Sequence, residues 1–288
     1  MKRVLLITDL DNTIYNFMDY FAPTFRGMVH ALARTMKIDE TLLIQEFREV
    51  FKKHHSIEYP FAVQELDSVK DRDIEEIKQL IKVARGAYRR VRNKRFEPYP
   101  YVKDTLRYFQ DSGVTIVAVS NAPFFQAAMR LKALKIDQYY NGLLCWEGYP
   151  VPLNELTKDF HDSSSKAKYK TKVDHIWKLP KDRLKPNLEG YTSVCNFFNI
   201  EKQHTYIVGD SISKDVFPAL SLGAHGIWAK YGTDIKKKSL ETVLSITNWD
   251  DKKVKAIYQD SSQEPEFVIN NFYELREIIE TPQLSLKL

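Results

Sequence analysis

Val4-Leu5-Leu6-Ile7-Thr8-Asp9-Leu10-Asp11-Asn12-Thr13 is the stretch that decides how this chain folds. The run Val4 to Ile7 is short and continuously apolar, the pattern of a strand buried on both faces, and it stops at two acids one residue apart. A buried strand that ends this way presents both carboxylates at the C-terminal edge of an open α/β sheet, where such sheets bind ligands. One Asp there can attack while the other handles protons. The same letters also fit a plain Asx turn, with Asp11, Asn12 and Thr13 as turn formers, so the downstream text has to decide.

Three more signals follow, each tied to an apolar run or a helix start. Val114 to Val119 reads as a β-branched buried strand and ends in Ser120-Asn121, a hydroxyl and an amide beside backbone N–H groups, which suits a phosphate oxygen. Lys185-Pro186 precedes a helical segment from about Leu188 to Phe198. Tyr206-Ile207-Val208 then runs into Gly209-Asp210-Ser211, where glycine allows a tight turn, with Asp215 beyond. Singly, each has a plain reading: a turn, a solvated lysine before a helix, a loop with an N-cap.

In this order the four signals resemble the phosphatase-type members of the haloacid dehalogenase superfamily. The matching text is Ile7 to Thr13, Val119 to Asn121, Lys185-Pro186 and Val208 to Asp215, and the stretch from Lys185 through Ala229 follows the family pattern closely. The resemblance covers roughly residues 1–16 and 98–230. It implies a Rossmann-like parallel-sheet core of class α/β, and within it a named role for each motif residue. Asp9 is implied as nucleophile and metal ligand, and Asp11 as acid–base group and main-chain metal ligand. Asp210 is implied as a further metal ligand. Ser120, Asn121 and Lys185 are implied to hold the transferring phosphate, and Asp215 to orient Lys185 or a metal-bound water. The implied metal is Mg²⁺, whose preference for octahedral oxygen ligands fits an all-carboxylate site. Wording like that around Asp9 is similar to phosphoglycolate-phosphatase-like and pyrimidine-nucleotidase-like members, which narrows the substrate to a small phosphorylated metabolite or nucleotide. A phosphomutase would share the site, and a non-enzymatic regulator would share the fold. Dehalogenase members generally lack an acid at the position of Asp11, because a halide needs no proton to leave.

The rest of the chain sets the organisation. At 288 residues it exceeds one typical domain. Met18 to Met36, Glu40 to Lys53 and Ala62 to Val91 repeat apolar residues at three and four, predicting helices, so residues 17–97 read as a small all-helical cap inserted into a core of residues 1–16 and 98–288. The hinges fall near Tyr15 to Phe17 and Glu97 to Pro100. Core helices are predicted at Val102 to Ser112, Phe124 to Leu134, Leu188 to Phe198 and Lys214 to Leu222, with a strand at Gly142 to Cys145. A second insertion, about 146–184, is expected to be a surface excursion, with a loop at Asp162 to Lys170 and a short helix at Val173 to Leu179. The tail predicts a strand at Glu266 to Ile269 and a helix at Tyr273 to Ile279. Tyr15, Phe17, Tyr20, His54, His55 and Tyr59 are polar-aromatic candidates for facing the site, although packing explains each as well. Adjacent His54 and His55 do not share a helix face, which argues against metal binding by them.

Composition excludes several classes. The net charge of +5 includes basic clusters at Lys166 to Lys172 and Lys236 to Lys238, but these lack interleaved aromatics, so no nucleic-acid partner is expected. Cys145 and Cys195 have neither CxxC nor Cys/His spacing, which argues against a disulfide framework or a zinc site. No apolar run approaches the roughly 18 residues of a membrane span, and Val4 to Ile7 is too short for a signal-peptide core. A cytoplasmic location is the expectation. Oligomeric state is not legible.

Overall fold

The computed structural model describes residues 3–152, 154–157, 170–247 and 264–282. Its centre is a seven-stranded sheet, β1 (Leu5–Thr8), β2 (Thr115–Pro123), β3 (Gly142–Trp146), β4 (His175–Leu179), β5 (Thr205–Gly209), β6 (His225–Ala229) and β7 (Phe267–Ile269). The strand order is β4-β3-β2-β1-β5-β6-β7, and every neighbouring pair is parallel. This is the Rossmann-like α/β core expected from the sequence.

Burial of β1 on both faces explains its unbroken apolar text. Side chains alternate along a strand, so Leu5 and Ile7 join one cluster with Val117, Val119, Tyr191 and Val194, while Val4 and Leu6 join the other with Ile116, Ala118 and Leu143. Because β2 lies on one side of β1 and β5 on the other, strand order reverses at β1, which opens a crevice at the strands' C-terminal ends.

Between β1 and the core helix α4 (Val102–Asp111) the chain forms α1 (Phe17–Met36), α2 (Glu40–His54) and α3 (Ile74–Arg95). Each has an N-cap whose side chain accepts a backbone N–H: Asn16 from Asp19, Asp39 from Thr41, Asp73 from Glu75. Phe17, Phe21 and Phe25 recur every four residues and stack along α1, and Phe25 meets Phe47 of α2 edge-on at 5.2 Å. Burial of each such ring stabilises by about 2 kcal/mol, which lets helices with charged outer faces hold together. The segment predicted as one helix from Ala62 to Val91 is instead a short 3₁₀ turn at Ala62–Glu65 followed by α3. The run Asp67 to Asp73 interrupts it, because Asp73 serves better as an N-cap than in a helix interior. Where the chain leaves and rejoins the sheet, Tyr15 bridges both Asp11 and Pro98, and the Tyr99 N–H donates to the Ile14 carbonyl at 2.8 Å.

The remaining core helices are α5 (Phe124–Ala133), α6 (Leu188–Phe198), α7 (Phe217–Leu222), α8 (Lys237–Ser245) and α9 (Leu275–Ile278). The predicted helix from Lys214 begins as a wide π-type turn at Ile212–Val216 before α7, and the final helix is led by a 3₁₀ turn at Phe272–Glu274. The expectation of a helix at Val173 to Leu179 is overturned, since His175–Leu179 is β4, paired along its length with β3. Trp177 and Leu179 alternate onto the sheet core, a period of two that so short a window does not separate from a helical one. The second insertion therefore adds an edge strand. Residues 162–169 of the predicted loop lie outside the described residues.

Candidate active site

Lys185 sits in the turn before α6, and its ammonium is the hub of the crevice. Nζ donates to Asp215 Oδ1 at 2.7 Å and to Asp9 Oδ1, and all three side chains are buried. Asp9 is fixed by the sheet itself: its N–H donates to the Val208 carbonyl at 2.9 Å, extending the β1–β5 pairing one residue past Thr8. Lys185 is fixed by an amide clasp with the end of β2. The Asn121 Nδ2 donates to the Lys185 carbonyl, and the Lys185 N–H donates to Asn121 Oδ1, each at 3.0 Å. Ser120, also buried, accepts the Ala122 N–H at 3.1 Å. Tyr191 of α6 donates to Asp215 Oδ1 at 3.2 Å.

The letters after Asp11 serve as a frame. Thr13 Oγ1 accepts the Asp210 N–H at 3.0 Å and donates to Asp9 Oδ2 at 3.4 Å, tying the ends of β1 and β5 together. Asn12 takes a left-handed backbone, φ 56°, which Asn tolerates, and its amide reaches Asp210 Oδ2 at 3.4 Å. Trp228 Nε1 donates to the Asp210 carbonyl at 2.9 Å, and the Tyr231 hydroxyl to the Thr13 carbonyl at 2.6 Å. Two glycines are needed for closeness. A Cβ on Gly209 would stand 2.2 Å from Asp215 Cγ, and one on Gly232 would stand 2.0 Å from the Asn12 carbonyl oxygen. Gly209 therefore serves to let Asp215 approach.

Charge at this centre is unbalanced. Asp9, Asp210 and Asp215 have carboxylate oxygens within 4.8 Å of one another, and the ammonium paired within the cluster is that of Lys185, with Lys214 also on the cavity lining. Burial raises Asp9 to about 7; Lys185 opposes the rise while Asp215 and Asp11 add to it. Burial likewise raises Asp210 well above the usual carboxylate range, with Asp9 and Asp215 adding to it. Burial disfavours the Lys185 ammonium, but Asp215 and Asp9 outweigh it and hold the lysine charged. A cluster of hard oxygen donors with surplus negative charge fits a small divalent cation. Asp215 Oδ1 is engaged by Lys185 and Tyr191 and its Oδ2 accepts the Ser211 N–H at 3.4 Å, whereas Asp9 gives Lys185 only Oδ1, so Asp9 and Asp210 could serve as side-chain ligands.

Asp11 sits at the boundary with the inserted helices. Its side chain is 28% exposed and lines the same cavity as Asp9, Ser120, Asn121, Lys185, Asp210 and Asp215. It accepts from the Tyr15 hydroxyl and from Arg130 Nη1 at 3.0 Å. All seven predicted site residues thus line one crevice. Of the six aromatic and histidine candidates, Phe17 lines it, Tyr15 reaches Asp11, and Tyr20 is packed behind. His54 stacks on Tyr59 with centroids 3.5 Å apart, and both bond Glu65, away from the lining; His55 ends α2. Met18, Ile57 and Lys214 also line the cavity and were not singled out by sequence. Neither were Arg130 and Glu58, which pair with each other. A signal for Arg130 was there: it falls among Ala127, Leu131 and Leu134 on the face of α5 that packs into the core.

A sequence model of haloacid dehalogenase-like hydrolases matches residues 5–223, and one of HAD-hydrolase-like proteins matches residues 183–275. No curated protein matches the chain. Among solved structures, a HAD phosphatase from Thermococcus onnurineus is similar at 18% identity and TM-score 0.57, covering 99% of this chain and 100% of that one. A predicted phosphoglycolate phosphatase from Haemophilus somnus is similar at 16% identity and TM-score 0.52, over 96% and 98%. A 2-haloacid dehalogenase from Pseudomonas syringae is similar at 17% identity and TM-score 0.54, also over 96% and 98%. Likeness at this level is likeness of fold, shared by different chemistries.

Proposed function

Since the chain belongs to the haloacid dehalogenase-like hydrolases, we propose that it is a phosphatase that releases phosphate from small phosphomonoesters through an aspartyl-phosphate on Asp9. The observation that carries this reading is Asp11 in the same cavity as the Lys185-bound Asp9. A halide leaves without a proton, whereas an alkoxide needs one, so a second carboxylate beside the nucleophile favours an ester substrate.

In this mechanism Asp9 Oδ attacks phosphorus, the bond from phosphorus to the leaving oxygen breaks, and Asp11 gives that oxygen its proton. The Asp11 carboxylate then takes a proton from water as the water oxygen attacks phosphorus, and the bond to Asp9 breaks to release phosphate. Lys185, Ser120 and the N–H of Asn121 hold the transferring oxygens, and Asp215 keeps Lys185 aimed. Asp9, Asp210 and the main-chain carbonyl of Asp11 would hold a Mg²⁺, which would supply the charge neutralisation that an anionic ester needs beside two carboxylates.

Phe17 and Met18 of α1 and Ile57 roof the cavity, so residues 17–97 act as a cap that excludes water and contacts the leaving group. A small phosphorylated metabolite or nucleotide fits such a site. No described helix is long and apolar enough to cross a membrane. Cys145 and Cys195 are buried free thiols, which agrees with a cytoplasmic setting. Phosphate release from a panel of sugar phosphates, phosphoglycolate and nucleoside monophosphates, with Mg²⁺ or EDTA, tests the reading. Release should require the metal and fall to background in Asp9→Asn. Undiminished release by Asp9→Asn would remove the nucleophile assignment.

A further inference from the structure

Arg130 is 2% exposed, heads the large side chains of the interior, and is the cation on which the inserted helices and the core converge. Nη1 donates to both Asp11 oxygens, at 3.0 and 3.3 Å, and Nη2 donates to Glu58 Oε1. The guanidinium carbon lies 5.9, 5.2 and 5.9 Å from the ring centroids of Tyr15, Phe17 and Tyr20. Glu58 belongs to the turn after α2, and that turn is held to α5 a second time, where Gln126 Nε2 donates to the Glu58 carbonyl at 3.0 Å. A clasp that served only to dock the insertion would need Glu58 and nothing more. Here the other half of the fork is spent on a carboxylate that faces the cavity. Nη1 is shared by both Asp11 oxygens, and it belongs to a planar guanidinium that Glu58 and the three rings hold in place, so the carboxylate is centred on one fixed donor.

Resting on the phosphatase reading above, we propose that Arg130 is the positioning residue for the acid–base carboxylate: Glu58 of the docked insertion holds the guanidinium, and the guanidinium aims Asp11 at the leaving oxygen. Substrate closure and proton delivery are thereby linked through one side chain. When the turn carrying Glu58 lifts away, Arg130 loses the partner that sets its position, and the proton donor loses its aim.

The readout is dependence on the leaving group, measured with p-nitrophenyl, phenyl and p-methoxyphenyl phosphate on wild type, Asp11→Asn, Arg130→Met, Arg130→Lys and Glu58→Gln. p-Nitrophenolate is stable enough to depart without a proton, while the other two depart with increasing need of one. Arg130→Met should lose about 100-fold in kcat on p-methoxyphenyl phosphate and less than about 5-fold on p-nitrophenyl phosphate, following the profile of Asp11→Asn. Arg130→Lys and Glu58→Gln should show the same slope at about 10-fold on p-methoxyphenyl phosphate. Equal losses on all three esters in Arg130→Met, with wild type active, would overturn the positioning role and leave the phosphatase reading standing. Absence of release by wild type from every ester would overturn both. If circular dichroism shows Arg130→Met unfolded, Glu58→Gln decides, and a flat profile in that variant overturns the proposal.

Discussion

At the strand ends one ammonium, Lys185, pairs with two of three clustered buried carboxylates; at the seam with the inserted helices one guanidinium, Arg130, is shared between two. Both clusters raise a carboxyl group to about 7 by burial, Asp9 in the first and Glu58 in the second. They differ in what completes them. The strand-end cluster retains negative charge in a cavity a ligand can reach, while the seam is filled by aromatic rings and its own ion pairs. On the phosphatase reading, the first cluster keeps its charge unbalanced until a cation and a phosphate arrive, whereas in the seam the one guanidinium is bonded to both of its carboxylates. Buried charge is costly in either place.

The largest effect should come from removing the hub of the first cluster. Lys185→Met should lower phosphate release by about 10³-fold or more, because Asp9 and Asp215 are left facing each other without a cation. Steady-state rates on a phosphomonoester check this, and near-normal rates would mean that the two clusters are not functionally distinct. Next comes the response of stability to pH and metal. Asp9 and Glu58 have folded-state values raised from 3.8 and 4.5 to about 7. Their protonated forms are therefore favoured by folding, and the stability they contribute at low pH is lost as pH rises towards and through 7. Melting followed in EDTA should show Tm falling between about pH 5 and pH 8. At a hundredfold excess over Kd, Mg²⁺ should restore about 5 °C at pH 8 and less at pH 5. Asp210→Asn should abolish that gain and Glu58→Gln should keep it, since only the first touches the cation cluster. The smallest effect is reserved for an exposed pair. Lys70→Ala, which removes the 2.7 Å contact with Asp67, should leave Tm essentially unchanged, separating the effect of burial from that of charge alone.

The same contrast explains what the sequence made legible. Asp9, Asp11, Ser120, Asn121, Lys185, Asp210 and Asp215 each stand at the end of an apolar run or the start of a helix, so local periodicity locates them and the parallel sheet gathers them at one edge. Arg130 and Glu58 carry no such punctuation. Their pairing depends on how α2 and its following turn dock on α5, and that is set by the packing of Phe25, Phe47 and Phe51 rather than by any short stretch of text. The strand β4 was missed for a third reason. At a sheet edge only Trp177 and Leu179 turn inward, and two apolar residues do not fix a period.

The crossing at Tyr15 and Pro98 has a further consequence. Backbone bonds hold the outgoing and returning chain side by side, with Tyr99 against Ile14, so to the sheet everything from α1 to α3 has the footprint of a hairpin loop. The entropic cost of closing that loop grows only slowly with its length. Helices of another size or surface, grafted between these two anchor points, would leave the strand register and the Lys185 cluster as they stand, which makes the roof of the cavity an exchangeable part so long as it brings Arg130 a partner in place of Glu58.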